Sequence, residues 1–292
     1  VRRDDFRGPA DLRDLQTMCS RLWWPGARFH AGQLAWNYCS AGGLTTGTEA
    51  ISLWRVDGGV VGFGWAESTD WLELQVDPAD PRVADAVLEW FEEWSDAPQQ
   101  SALVMEGDPC EEALAEAGFE PEPDAWFLQH HLLDLAGLRP VPSTPGYALR
   151  HVEPGEAAER AACHRAAWAD FGPSGVTAAA YERLMATFPY RADLDWVAVD
   201  ATGTMVASAL VWLDPATGVG LVEPVGCVPE HRGHGLAGAV TLAALDRLRD
   251  LGGHTALVTP RGDDDHPGPR RLYQSLGFQP GARTVTWTRS LD

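Results

Sequence analysis

Apolar residues recur at helical spacing in Leu236, Val240, Ala244, Leu248 and Leu251, with Asp246, Arg249 and Asp250 between them. Gly252-Gly253 closes the run, so the pattern predicts an amphipathic helix with a glycine stop. Ahead of it, residues 196–200, 205–213 and 219–228 read as strands, the first two joined around Thr202-Gly203. Residues 153–169 and 177–188 read as helices before those strands. A strand over 255–259, a short helix over 270–276 and a last strand over 284–288 follow the long helix. The order ααββ(β)αβαβ predicts a mixed α/β unit with helices flanking a sheet.

The first half of the chain repeats that order in outline. A helix is predicted over 12–22, then a hairpin of 51–56 and 60–65 across Asp57-Gly58-Gly59, whose Asp-Gly is a strong turn signal. A strand over 72–76, a helix over 83–94, a strand over 102–105, a helix through Ala117-Gly118-Phe119 and a strand over 126–132 complete it. Gly118-Phe119 and Gly277-Phe278 occupy matching places, each closing a helix before a final strand. Between the halves, residues 137–146 carry three prolines and two glycines, which neither a helix nor a central strand accommodates. The expectation is a tandem duplication: a domain over 1–136, a linker over 137–146 and a second domain over 147–292.

A length of 292 residues suits two domains, and 45% hydrophobic residues suffice for two cores. The formal charge is −20, which would repel a nucleic-acid backbone or an anionic membrane. All 22 basic residues are Arg, a usage that suggests a GC-rich bacterial coding source rather than a function. The acidity is uneven: 9 Arg stand against 25 acids up to residue 146, and 13 against 17 beyond it. Five cysteines without a C-x-x-C pattern indicate neither a disulfide framework nor a zinc site, and no stretch reaches the length of a membrane helix. These features lead to the expectation of a cytoplasmic protein with no metal, no nucleic acid and no membrane among its partners. His130-His131 would point to opposite faces of a strand and make a poor metal pair.

The sharpest chemical signal lies between the third strand and the long helix of the second half. Arg232, Gly233, Gly235 and Ala237 fall where a strand turns into a helix, and a helix N-terminus offers free N–H groups and positive dipole to a diphosphate. Glycine lets phosphate oxygens approach the backbone, and Arg232 would add a charge-assisted donor. The spelling Gly233-His-Gly-Leu-Ala-Gly238 also satisfies the dinucleotide fingerprint of nicotinamide enzymes. Against that alternative, Pro229-Glu-His-Arg232 separates the strand from the first glycine, and 54 residues after Gly238 are too few for a dinucleotide fold.

Arg232-Gly-His-Gly-Leu-Ala237 resembles the acyl-CoA signature of the GNAT superfamily of N-acyltransferases, and Leu272-Tyr-Gln-Ser-Leu-Gly-Phe278 resembles the element that follows it there. The resemblance covers 147–292. The first half matches in element order alone: Val76-Asp-Pro-Ala-Asp-Pro-Arg82 has no glycines, and Asp77 and Asp80 would repel phosphate, which predicts a silent domain. The tandem plan, with Gly226, Pro229 and Tyr273-Gln-Ser-Leu-Gly-Phe278, is similar to the mycothiol-synthase type, whose acidic strand residue would fall at Leu221 rather than Glu223.

The resemblance implies an acetyl-CoA-dependent N-acetyltransferase acting on the amine of a small molecule or peptide. It implies backbone contacts to the thioester carbonyl at Cys227 and Val228. The pyrophosphate contacts would come from Arg232, Gly233, His234, Gly235, Leu236, Ala237 and Gly238, and the thiolate's proton from Tyr273. Acceptor contacts would come from the first two helices and their loop, at Trp168 and Phe171. By period 2, Glu223 shares a face with Leu221, Val225 and Cys227, and it is the candidate base. Cys227 has no evident partner base and reads as a buried small hydrophobe. His266 falls where many family members have Asn, and Asp263-Asp-Asp265 could attract a cation. The other readings are a non-catalytic acyl-CoA-binding scaffold and a protein acetyltransferase. The oligomeric expectation is a monomer or a homodimer.

Overall fold

The apolar stripes and alternations fold into two successive sets of strands and helices. The computed structural model describes residues 1–40, 49–172 and 174–291, and for Phe171 the backbone alone. The first set is β1 (Arg2–Asp5), α1 (Pro9–Arg21), α2 (Ala31–Ser40), β2 (Ala50–Val56), β3 (Gly59–Ser68), β4 (Trp71–Val76), α3 (Val83–Trp94), β5 (Gln99–Met105), α4 (Cys110–Glu116), β6 (Glu120–Glu122) and β7 (Gln129–Asp134). The second is β8 (Ala148–His151), α5 (Ala157–Ala167), α6 (Ala178–Met185), β9 (Asp195–Val199), β10 (Met205–Asp214), β11 (Val219–Cys227), α7 (Leu236–Asp250), β12 (Thr255–Val258), α8 (Pro267–Leu276) and β13 (Gln279–Ser290).

Four elements escape the sequence pattern for physical reasons. Helix α2 buries Ala31, Gly32, Gln33, Leu34, Ala35 and Cys39, so it lacks the polar face that makes a helix legible. Strands β1, β6 and β8 are three or four residues long and largely exposed, and only their partners β2, β13 and β9 define them.

The strands form one sheet in the order β1-β2-β3-β4-β5-β13-β7-β12-β11-β10-β9-β8, with β6 also pairing with β13. Its pairs are antiparallel except β4 with β5 and β11 with β12. The last strand does not complete the second half, as its order of elements suggests. Instead β13 lies along β5 from Thr284↔Met105 to Ser290↔Gln99, while β7 takes the place beside β12 from Thr255↔Asp134 to Val258↔His131. The two meet at Gln279↔Leu132 and Arg283↔Gln129. Each half thus has its final strand in the other's sheet, a choice of partner that alternation within a strand cannot reveal. The segment 137–146 lies between β7 and β8 in the chain, yet the sheet does not divide there.

In the second half, α7 and α8 cover one face of the sheet and α5, α6 and α2 the other. Helix α5 is fixed by a pair with no solvent exposure: Arg160 Nε donates to Asp195 Oδ1 at 2.9 Å, and the Tyr181 hydroxyl donates to Asp195 Oδ2 at 2.5 Å. Breaking one member of such a pair leaves a buried charge uncompensated, at a cost of about 3–5 kcal/mol. Among the described residues, no helix is long and apolar enough to cross a membrane.

The exchange predicts that residues 147–292 expressed alone, without β7, leave the β12 edge and the apolar side of β13 uncovered. The fragment is expected to aggregate or to lack chemical-shift dispersion, whereas the full chain folds. A well-dispersed monomeric spectrum from the fragment would refute this.

Candidate active site

Parallel strands β11 and β12 pair only from Val219↔Thr255 to Leu221↔Leu257 and then part. Two cavities open where they part. One, of about 640 Å³, is lined by Val225, Gly226, Cys227, the loop around Gly233 and the first turn of α7. The other, of about 730 Å³, is lined by Glu223, His164, Asp265 and, from the first half, Trp36, Ser40 and Leu128. Trp168, Val225, His266, Pro269 and Tyr273 line both.

A bulge sets the direction of Glu223. On β11, Val222 opposes Val211 and Val225 opposes Ala209, so Glu223 and Pro224 together face Leu210. The carbonyl set free there accepts a hydrogen bond from Trp212 Nε1 at 2.7 Å. The extra residue inverts the alternation. A Cβ at Gly220 would strike Leu248 of α7, whereas one at Gly226 would strike Ala167 and approach Trp168 on the opposite face. Glu223 therefore does not share a face with Val225 and Cys227, which pack on the α7 side. The period-2 expectation fails at that point because strict alternation assumes an unbroken ladder.

The same ladder corrects the expected backbone donors. Val228 N–H donates to Val206 O at 2.9 Å, so it is committed to β10, and Val228 lines neither cavity. Successive N–H groups of an antiparallel strand alternate sides, so Cys227 N–H points to the other edge, where β11 and β12 part. Burial pushes the Cys227 thiol up to about 11, against a weaker pull from Arg232, which leaves it a poor nucleophile.

Helix α7 begins after Gly235 with no capping side chain, so the N–H groups of Leu236, Ala237 and Gly238 form its open positive end. Gly233 and Gly235 have φ of +80° and +73°, a region that suits glycine, and a Cβ at either would project into open space. The Leu236 side chain is buried in the core, so only its backbone serves the cavity. Arg232 lines the cavity, but its guanidinium is held by other acceptors. Its Nε donates to Cys227 O at 3.1 Å, one terminal nitrogen to Asp170 Oδ2 at 2.5 Å and the other to Ala167 O at 3.1 Å. The guanidinium is a strut between β11 and the end of α5, because those acceptors surround it. His234 turns its ring to the loop carbonyls of His231 and Arg232 and does not line the cavity.

Tyr273 is almost wholly buried, edge-on to Phe278 at 5.7 Å, and burial and the nearby Glu223 push its hydroxyl well above the usual range. It stays protonated at neutral pH. Glu223 is partly exposed as a residue, but its Oε2 is out of solvent with no hydrogen-bond partner among the described residues. Burial pushes its carboxyl up to about 7, and Arg28 pulls the other way. Trp168 stacks on His164 at 5.7 Å, and His164 meets Trp36 edge-on at 5.2 Å. Burial and then the charges of Arg160 and Arg165 hold His164 down to about 3, so it is neutral. The Phe171 side chain lies outside the described residues.

Asp263 and Asp264 are paired with Arg261 and Arg270, and Asp265, 3.8 Å from Arg261, is the member of that run that lines the cleft. His130 and His131 are both buried, and no group of three metal-binding side chains occurs among the described residues. The sequence pattern passed over Ser40 and Leu128, which reach the site by tertiary packing alone. His164 was findable, since it lies four residues before Trp168 on one helix face.

In the first half, strands β4 and β5 part in the same way, but Asp77 fills the corresponding strand end. Arg21 holds its carboxylate at 2.5 Å and Ala79 N–H at 2.9 Å. Helix α3 starts from Arg82 with no left-handed glycine nearby.

Residues 157–278 match the family model described as Acetyltransferase (GNAT) family. The chain is 27% identical over 230 residues to a mycothiol acetyltransferase of Pseudarthrobacter chlorophenolicus, a stretch covering 71% of this chain and 66% of that protein. It is 48% identical over 60 residues to one of Nocardiopsis dassonvillei, covering 20% of this chain and 18% of that protein. The chain thus spans just under two thirds of the first relative and less than a fifth of the other. A tandem GNAT protein from the clavulanic acid biosynthesis pathway has a similar fold, with a TM-score of 0.64 and 18% identity over 99% of this chain and 98% of that one. A GCN5-related N-acetyltransferase from Sphaerobacter thermophilus does too, with a TM-score of 0.62 and 18% identity over 99% and 95%. The mostly antiparallel sheet of this chain leaves no room for the dinucleotide reading.

One cradle predicts one acyl-CoA per chain by calorimetric titration. Gly235→Val, which places a branched residue at positive φ over the cradle, is expected to weaken binding at least about tenfold, or roughly 1.4 kcal/mol. A stoichiometry of two would refute the assignment of a single cradle.

Proposed function

From the membership of residues 157–278 in the acetyltransferase (GNAT) family, we propose that this acyltransferase moves an acetyl group from acetyl-CoA directly to the amine of a small molecule or peptide. The observation that carries the reading is the junction at Tyr273: a cavity with an open helix N-terminus meets a cleft that holds a carboxylate with one buried oxygen unpaired among the described residues. Acetyl-CoA supplies the thioester. The glycines at 233 and 235 and the first-turn N–H groups of α7 would hold its diphosphate, and the N–H of Cys227 would donate to its carbonyl.

Glu223 accepts the proton that the attacking amine loses, and the Tyr273 hydroxyl gives one to the departing sulfur. Trp168, stacked on His164, forms the wall between donor and acceptor. Glu223 must be ionised to act. With its carboxyl near 7, the active fraction falls about tenfold per pH unit below that value and levels off above it.

A second reading, that the chain is itself a mycothiol acetyltransferase, is favoured by the likeness over 230 residues to a protein of that name. Turnover of that enzyme's amine acceptor, compared with unrelated primary amines, separates the two.

Glu223→Gln is expected to lower kcat by about 10²–10³-fold, leave the KM for acetyl-CoA unchanged and abolish the acidic limb of the pH profile. Tyr273→Phe is expected to lower kcat with little change in that limb. Full activity in Glu223→Gln would overturn the assignment of the base.

A further inference from the structure

The segment between the halves ends on a tyrosine that touches the loop ahead of α7. Tyr147 is the first residue after 137–146, and the turn there sets it: its N–H donates to Thr144 O at 3.0 Å, and the Thr144 hydroxyl donates to its carbonyl at 3.4 Å. The ring packs against the core cluster that holds Leu236 and Val240 of α7. Its hydroxyl meets Nδ1 of His231 at 3.0 Å, with the two rings edge-on at 5.7 Å. His231 lines the smaller cavity together with Gly233, Gly235 and the first turn of α7. Its backbone is already committed: the N–H donates to Val228 O at 3.0 Å, and the carbonyl accepts from Nδ1 of His234 at 3.2 Å. With Nδ1 on Tyr147, Nε2 is the ring nitrogen left without a partner among the described residues. Arg232, on the same cavity, has its guanidinium held by Cys227, Asp170 and Ala167.

We propose that His231 donates from Nε2 to the diphosphate of the bound acyl-CoA, and that Tyr147 is the positioning residue that fixes its ring for this. The inference rests on the acyl-CoA reading of that cavity. In an imidazole with one proton, the hydrogen bond made at one nitrogen decides which nitrogen carries it. A tyrosine hydroxyl donating to Nδ1 leaves the proton on Nε2, so the uncommitted side of the ring is a donor. A phosphate oxygen accepts from such a donor, and a hydrogen bond to a charged acceptor is stronger than one between neutral groups. A ring pinned by Tyr147 before binding also loses less freedom on binding than a rotating one. Asp200, close enough to feel a charge on His231, holds its Oδ1 against Thr202 and Thr204. The segment 137–146 therefore does more than join the halves: its last turn places the hydroxyl that orients a side chain of the donor cavity.

The test is calorimetric titration of the full-length protein with acetyl-CoA and with its 3′-dephospho form, both of which keep the diphosphate. His231→Ala is expected to weaken the two ligands equally, by about tenfold, and Tyr147→Phe by about threefold. Adding Tyr147→Phe to His231→Ala is expected to cost nothing further, a coupling that loss of packing alone would not produce. Losses that add, or an unchanged affinity in either single variant, overturn the pairing. A loss seen with acetyl-CoA but not with the dephospho form puts the ring on the 3′-phosphate and overturns the diphosphate contact. Gly235→Val separates this inference from the reading beneath it. If that variant weakens binding while His231→Ala does not, the cradle stands and the role of His231 fails; if the unsubstituted protein binds no acetyl-CoA, the cradle itself fails.

Discussion

Two parallel strands that stop pairing after three residues are the constraint on which this site depends. Beyond Leu221 and Leu257 the backbone edges of β11 and β12 no longer satisfy each other. Buried N–H and C=O groups must find other partners or face a ligand. The structure answers with two devices. The bulge at Glu223–Pro224 hands its free carbonyl to Trp212, and Cys227 turns its N–H into the opening. The loop that follows ends at a helix whose first turn is uncapped, so unsatisfied donors cluster at one end of the gap. A ligand rich in oxygen acceptors is the natural complement.

The opening stays stable because the sheet is closed around it by exchange. Strand β7 supports β12 from the far side, and β13, which follows the helix carrying Tyr273, runs on into the sheet of the first half. The residues that define the second cavity therefore come from both halves: Trp36 and Leu128 from one, His164, Trp168 and Glu223 from the other. Residues 77–82 hold no glycine and Arg21 is paired with Asp77, so this strand end of the first half does not repeat the opening at the end of β11.

Electrostatically the cleft is built by burial more than by pairing. Among the described residues Glu223 has no hydrogen-bonded counter-ion, and desolvation raises it to the range where a carboxyl can accept a proton near neutral pH. Tyr273 and His164 are held uncharged by the same lack of water, so neither competes for the role. An overall charge of −20 is compatible with this because most surplus acid lies on the first half, away from the cradle.

The sequence by itself determined the local chemistry. The stripe of α7, the glycines at 233 and 235, and Tyr273 on a short helix are legible because helical periodicity, positive φ and motif spacing are local properties of the chain. It also exposed the repeat, through matching Gly-Phe pairs and element order. Only the tertiary structure decided which strands are neighbours, because alternation records which side of a strand is buried but not against what. The exchange of β7 and β13 follows from that, as does the arrival of Ser40 and Leu128 at the site. The face of Glu223 was hidden for a related reason: one extra residue in the β11 ladder reverses the alternation beyond it, and the bulge exists only in the pairing with β10. The acceptors of Arg232 were hidden because a guanidinium takes those nearest in space, here Cys227, Asp170 and Ala167, and two of those belong to a segment more than sixty residues away.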